Sequence, residues 1–344
     1  MIPRTGCSSR RPPKESPAGD LRQVEGGRAL RDCLANQGEY AIRARLTVLE
    51  HMTDHRTDKP LFDFLDLDVS EIHERPTAIA EIRAGTLHGS IIRNVYSPEE
   101  AAIIAARLER GDPGFSADPF RKSVHLADPP RIYGRTLNNC APDLRQYCAE
   151  AADFRRRCRE LFCGMQDFEE RITEVFRALT GGLPVEVPVG PEPGQIYAPA
   201  TIRLLPQGHG ITPHADNSLY DKPQAWHLST LTEPALLSFF LTLSLPQSGG
   251  ELVVYALRWE DFRPGMEAAN RLHVKHGETT LIGDAASYVR TFASMSFKPG
   301  VGDLFIFNAG RYFHEVTPGT DGARCTIGGF IAPSRDHERL YYWS

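Results

Sequence analysis

QIYAPATIRLLP, residues 195–206, marks the point where the chain changes character. From there on, short runs of β-branched, aromatic and aliphatic residues alternate with Gly and Pro turns: LLSFFLTLSLP (236–246), GELVVYALRW (250–259), ASMSFKP (293–299), GDLFIFNAG (302–310), FHEVTPG (313–319) and RCTIGGFIAP (324–333). Runs of this length and composition between turn signals read as strands, and many of them in succession read as a sandwich or barrel. The expected class is α+β: a double-stranded β-helix, the cupin-like jelly roll, over 195–333, with N-terminal helices flanking one sheet. Strand count alone fits other sandwiches equally.

Upstream, the periodicity is helical. In LHGSIIRNVYSPEEAAIIAARLER (87–110), a strand over Gly89–Val95 precedes a helix. Ser97 is its N-cap, Pro98 suits the first helical position, and Glu99 and Glu100 face the positive end of the helix dipole. Ile103, Ile104 and Leu108 are expected to pack on the sheet. Asp143–Phe162 and Asp167–Leu179 read as further helices, the second with Phe168, Ile172, Val175, Phe176 and Leu179 on one face, Asp167 as cap and Gly181 as stop. Arg110–Asn139 reads as a long loop, of the kind that often forms a lid. Patterned sequence begins only after Met52, so residues 1–55 are expected to be a flexible extension. The remainder, 56–344, is expected to be one domain, with helical support over 97–180.

Composition narrows the function. A net charge of −5 and a pI near 6.2 argue against a nucleic-acid partner, which needs clustered Lys and Arg. No run of apolar residues is long enough to span a bilayer. The start, Met1–Asp20, lacks the apolar core of a secretory signal. Seven cysteines, odd in number and scattered, do not form a disulfide framework, and a reducing cytoplasm is expected.

The chemistry concentrates in GITPHADNS (210–218). On a strand, residues two apart project to the same side, which aims the His214 imidazole and the Asp216 carboxylate at one point. Alone, His-x-Asp is more often a surface pair than a metal site. Downstream, GDLFIFNAGRYFHEVTPG (302–319) places His314 after a strand in which Leu304 and Ile306 alternate with Phe305 and Phe307. Arg324 follows ten positions later, with Thr326 on its face. The turn TPGTDG (317–322) would return Arg324 beside His314 on an adjacent antiparallel strand. A guanidinium fork with a nearby hydroxyl suits a carboxylate, and the apolar neighbours Ile327 and Phe330 suggest an interior strand where an unpaired cation would be costly. Two His and one carboxylate with open positions suit non-haem iron(II).

With HAD, GDLFIF…HEV and RCTIGGF in these places, the stretch from Tyr197 to Pro333 resembles the Fe(II)/2-oxoglutarate-dependent oxygenase superfamily, most of all bacterial enzymes acting on small molecules. The resemblance implies that His214, Asp216 and His314 hold Fe(II). It also implies that 2-oxoglutarate chelates the metal and reaches Arg324 and Thr326 with its far carboxylate, and that O₂ is the second cosubstrate. The products are succinate, CO₂ and a substrate hydroxylated at an unactivated C–H bond. The substrate class is a free amino acid, a nucleoside or nucleotide, or a natural-product intermediate. Halogenases of the superfamily carry Gly or Ala in place of the metal carboxylate; Asp216 points to hydroxylation. Desaturation, cyclisation and epimerisation use the same cofactors, and a cupin-like metal protein or isomerase without O₂ chemistry is the reading from another class.

Other residues divide between roles. His209 would touch 2-oxoglutarate or cap a turn. Arg203, Tyr197, Asn217, Trp226 and Arg135 are candidates for substrate contact. Against each stands a bland alternative: an exposed Arg, a packing aromatic, or an amide that orients Asp216. His273 and His276, in RLHVKHGE (271–278), lack a third ligand and read as a surface loop.

Overall fold

Alternation along Leu304–Phe307 divides the molecule into layers. Successive side chains of a strand leave opposite faces. Leu304 and Ile306 join Phe239, Leu241 and Ile327 in a cluster that reaches the helices, whereas Phe305 and Phe307 join Leu205, Leu252, Val254 and Val316 inside a barrel. The computed structural model describes residues 60–344 except 116, 120–127, 269–271, 276–277 and 282–283. The expected extension over 1–55 and His276 lie outside the described residues.

Among the described residues, the larger sheet has ten strands. Its central order is Phe64–Asp68, Gly89–Arg93, Leu304–Phe307, Leu237–Ser244, Arg324–Pro333, Thr201–Leu205, Arg131–Tyr133 and Ala117–Pro119. Leu340–Trp343 adds onto Arg324–Pro333, and Val185–Glu186 adds onto that. The smaller sheet has four strands, in the order Ser294–Phe297, Leu252–Arg258, Tyr312–Val316 and Ile211–His214. Two sheets closing on one apolar interior form the jelly-roll core, and Arg324–Pro333 is buried along its whole length.

Helices Pro98–Glu109, Arg145–Leu161 and Phe168–Leu179 cover the outer face of the larger sheet through Ile104, Leu108, Phe154, Leu161, Ile172 and Phe176. Ser97 caps the first helix as expected: its hydroxyl accepts from the Glu100 N–H at 3.2 Å, and the Glu100 carboxylate accepts from the Ser97 N–H at 2.8 Å. Asp167 caps the third by accepting from the Glu169 N–H at 2.9 Å.

Several expectations give way. Ile103 is 47% exposed, because the buried stripe runs through Ala101, Ile104, Ala105 and Leu108, and Ile103 lies a third of a turn aside. The strand Gly89–Arg93 stops two residues early, where Asn94 turns with φ 59°. Arg110–Asn139 is not all loop: Ala117–Pro119 and Arg131–Tyr133 extend the larger sheet at its edge. Strands of three residues are too short for periodicity to reveal. The stretch around His273 is a hairpin of Leu272–Lys275 with Glu278–Leu281 rather than a surface loop.

Candidate metal centre and active site

His214 ends its strand opposite His314 in the antiparallel pairing of Ile211–His214 with Tyr312–Val316. Ala215 keeps the chain extended (φ −126°, ψ 140°), so Asp216 still projects to the His214 side although it begins a 3₁₀ turn over Asp216–Leu219. The Asp216 N–H donates to the Ala309 carbonyl at 3.0 Å, fixing that turn against the chain just before the His314 strand.

Three donor atoms, one from each side chain, lie within 4.8 Å of one another. The two Nε2 atoms each stand 3.7 Å from an Asp216 carboxylate oxygen, His214 from Oδ1 and His314 from Oδ2. Each Nδ1 faces a carbonyl two residues back, His214 that of Thr212 at 2.8 Å and His314 that of Tyr312 at 3.0 Å. A carbonyl only accepts, so each Nδ1 carries the proton and each Nε2 keeps a lone pair for a metal. The Phe307 ring meets His314 edge to face at 4.9 Å, and the Ser238 hydroxyl donates to Asp216 Oδ2 at 2.5 Å. Burial pushes His314 down to about 4, with His214 adding to the effect, so the imidazole is neutral. Burial works to raise the Asp216 carboxyl, but His314, His214, the Ser238 hydrogen bond and Arg203 outweigh it and hold the group below its ordinary range. A pair of imidazoles oriented through their Nδ1 atoms, beside an ionised carboxylate, fits a divalent iron.

Arg324 approaches from the opposite wall. Its strand does not lie beside that of His314, as the turn had suggested: it pairs within the larger sheet, with Leu237–Ser244, Thr201–Leu205 and Leu340–Trp343, and faces the triad across the barrel. The turn after Val316 carries the chain from one sheet to the other. Arg324 is 6% exposed, and its guanidinium lies over the Phe240 ring at 4.9 Å. Among the described residues it has no hydrogen bond or ion pair. Burial pushes its pKa down to about 10, with Arg203 contributing, which leaves it cationic at neutral pH. Thr326 sits on the same face, flanked in register by Arg203 and Thr242. The Thr242 hydroxyl is buried and has no hydrogen-bond partner among the described residues. A carboxylate along the Arg324–Thr326 edge would supply the acceptor that the Arg324 guanidinium lacks, so the wall fits the far end of 2-oxoglutarate.

Triad and wall share one small cavity that opens to solvent, which Arg203 also lines. The other sequence candidates do not reach it. His209 stands in a turn where its N–H donates to the Pro206 carbonyl. The Tyr197 hydroxyl meets His227 Nδ1 at 3.1 Å in a cluster against Tyr147, and Trp226 Nε1 donates to the Pro142 carbonyl at 2.8 Å. Arg135 is engaged by Glu150, and Asn217 belongs to the turn after Asp216. Ser238 and Phe240 were missed. Their signal was the alternation of Ser238 and Thr242 with aliphatic residues in LSFFLTLS (237–244), which puts two hydroxyls on the barrel side.

A jelly roll whose two sheets hold a His-Asp-His triad and a buried, unpaired arginine defines the class of Fe(II)- and 2-oxoglutarate-dependent oxygenases, with O₂ as the second cosubstrate. Within it, the family described as "Carrier-protein-independent halogenase WelO5" matches residues 61–344, and the chain belongs to that family. No protein of curated function matches. Among solved structures, the chain is similar to an N-substituted L-amino acid dioxygenase of Burkholderia ambifaria in complex with alpha-KG, at 17% identity and TM-score 0.45, over 77% of this chain and 90% of that one. It is similar to a prolyl-4-hydroxylase of Pseudomonas putida, at 16% identity and TM-score 0.34, over 75% and 96%. A 2OG-Fe(II) oxygenase family protein of Burkholderia pseudomallei matches at 12% identity and TM-score 0.40, over 83% and 100%.

Proposed function

We propose that the chain hydroxylates an unactivated C–H bond of a small polar molecule, using residues 56–344 as one catalytic domain in a reducing cytoplasm. The observation that carries this reading is Asp216, kept in the ligand set and pinned by the Ser238 hydroxyl. Bound Fe(II), with 2-oxoglutarate and O₂, supplies the oxidising power that exchanges C–H for C–OH and leaves succinate and CO₂. His214, Asp216 and His314 would hold one face of the metal and leave the opposite face for cosubstrates. Arg324 and Thr326 would hold the far carboxylate and fix the direction in which 2-oxoglutarate lies. Phe240 and Phe307 line the cavity and give it apolar walls.

Halogenation is the second reading, favoured by the family match. It requires a halide at the metal, and with Asp216 among the residues that would hold the metal, the carboxylate would take the place of a halide.

Succinate formation tests the proposal. Anaerobically iron-loaded protein receives 2-oxoglutarate and chloride, then O₂, with and without pooled amino acids, nucleosides and other small metabolites. Iron-dependent succinate that rises with one pool, with a product heavier by one oxygen, is expected. A chlorinated product would replace hydroxylation by halogenation, and no succinate from iron-loaded protein would favour a metal protein without O₂ chemistry.

A further inference from the structure

Two guanidiniums, Arg203 and Arg324, face the cavity that holds the triad, and one carboxylate, Asp216, faces it with them. The cavity therefore carries one positive charge in excess. Iron(II) and the 2-oxoglutarate dianion cancel each other, so the same excess remains when both are bound. The other acids on the nearby strands do not correct it. Glu251 accepts from the Thr317 hydroxyl at 2.6 Å, and Glu315 is taken by Arg290 and Tyr255 on the outer face of the smaller sheet.

Arg203 is the cation left over. It lies opposite Thr326, while Arg324 lies two pairs further along, opposite Leu205. Among the described residues it makes no hydrogen bond or ion pair. Its electrostatic neighbours are Asp216 and His314 on one side and Arg324 on the other. The far carboxylate of the cosubstrate has Arg324. The near one has the metal, whose charge exceeds that of Asp216 by one. A partly buried guanidinium without a hydrogen-bonded acceptor carries a desolvation cost, which is offset when an anion arrives.

We infer that Arg203 receives a carboxylate of the primary substrate, which makes the substrate a small carboxylic acid. The excess of a single charge favours a monoanionic carboxylate over a phosphate dianion, and so an acid over a nucleotide. The inference rests on the iron and 2-oxoglutarate reading and narrows its substrate class.

The test separates the two. Anaerobic protein loaded with Fe(II) is titrated with 2-oxoglutarate and followed by the visible charge-transfer band of the iron–cosubstrate complex, before any substrate is added. Failure of the parent protein to form the band overturns the cosubstrate reading itself. With the band formed, a panel of small carboxylic acids, from acetate to phenylacetate and N-acetyl amino acids, is compared with the matching primary amides. Perturbation of the band reports binding.

At least one acid is expected to bind roughly ten- to a hundredfold more tightly than its amide, the ratio one buried charge-assisted contact confers. In Arg203→Gln the preference collapses towards one, while the affinity for 2-oxoglutarate stays within about threefold of the parent. Arg203→Lys, which keeps the charge, retains a preference for acids. Melting of the iron-free protein provides a readout independent of ligands: Arg203→Gln removes a cation that has no hydrogen-bonded acceptor among the described residues and should melt no lower than the parent. Amides binding as well as acids, a panel in which no acid binds, or loss of 2-oxoglutarate affinity in Arg203→Gln equal to that in Arg324→Gln would each overturn the assignment.

Discussion

His214 and His314 are partners in register across two antiparallel strands, with ring centroids 4.2 Å apart and both Nδ1 atoms committed to backbone carbonyls of their own strands. The backbone thus sets both the spacing and the tautomer of the pair. His314→Ala should abolish stoichiometric iron binding. Adding Fe(II) anaerobically should raise the melting temperature of the parent, because a ligand that binds only the folded state stabilises it, and leave the variant unmoved. Stoichiometric iron in the variant would remove His314 from the ligand set.

Arg324 argues for a different measurement. Its guanidinium is buried over the Phe240 ring and, among the described residues, has no hydrogen bond or ion pair. Removing one member of a buried charged pair costs about 2–5 kcal/mol in binding, so Arg324→Ala should raise the 2-oxoglutarate concentration needed for half-saturation by roughly thirtyfold or more. Iron affinity should hold, because no atom of Arg324 belongs to the triad. An unchanged requirement for 2-oxoglutarate would make Arg324 a structural residue.

The chemistry-bearing residues were legible in the sequence because few contexts place an imidazole, a carboxylate, a second imidazole and an arginine in alternating, turn-bounded runs. Where those runs sit was less so. His314 and Arg324 are ten positions apart, and a hairpin was the simplest connection, yet the intervening turn crosses between sheets. Local sequence shows that a strand turns, not which sheet it joins next. The same limit explains Tyr197 and Arg135. Both are polar residues near the motif, but tertiary packing hands the first to His227 and the second to Glu150. Ser238 is only half legible: its alternation with Thr242 puts a hydroxyl on the barrel side, but nothing local shows that Asp216 will be brought to it.

Ser238 and Asp216 form a unit, and cutting it from either side should have different results. Ser238→Ala removes one donor to a carboxylate whose ionised form the imidazoles still favour. Outer partners of metal ligands typically contribute about ten- to a hundredfold in affinity, so a loss of iron affinity in that range is expected, with the fold intact. Asp216→Gly removes the ligand itself and leaves the Ser238 hydroxyl without its acceptor. Although the change opens a place for a halide, it should give an inactive protein with weakened iron binding rather than a halogenase. Mass spectrometry of products formed with chloride present would show otherwise if a chlorinated species accumulates.

Glu315, the residue after His314, ties the metal strand to the segment that follows Leu252–Arg258. Its carboxylate accepts from the Tyr255 hydroxyl and from Arg290, at 2.6 Å from Nη2 and 3.1 Å from Nε. Arg290 caps the helix Ala285–Val289, and Val289 packs in one cluster with Phe313 and with Ala215, which stands between His214 and Asp216. Neighbours of all three ligands are therefore braced from outside the barrel. Arg290 is half-exposed and Tyr255 remains as a partner, so Arg290→Ala should destabilise the protein by only about 1–2 kcal/mol, read as a lower denaturant midpoint. Iron affinity should fall with it, because His314 loses the anchor on its neighbour. Arg290→Lys, which keeps one charged donor, should restore most of both. A loss of stability with unchanged iron affinity would mean that the brace holds the outer segment but does not position the metal ligands.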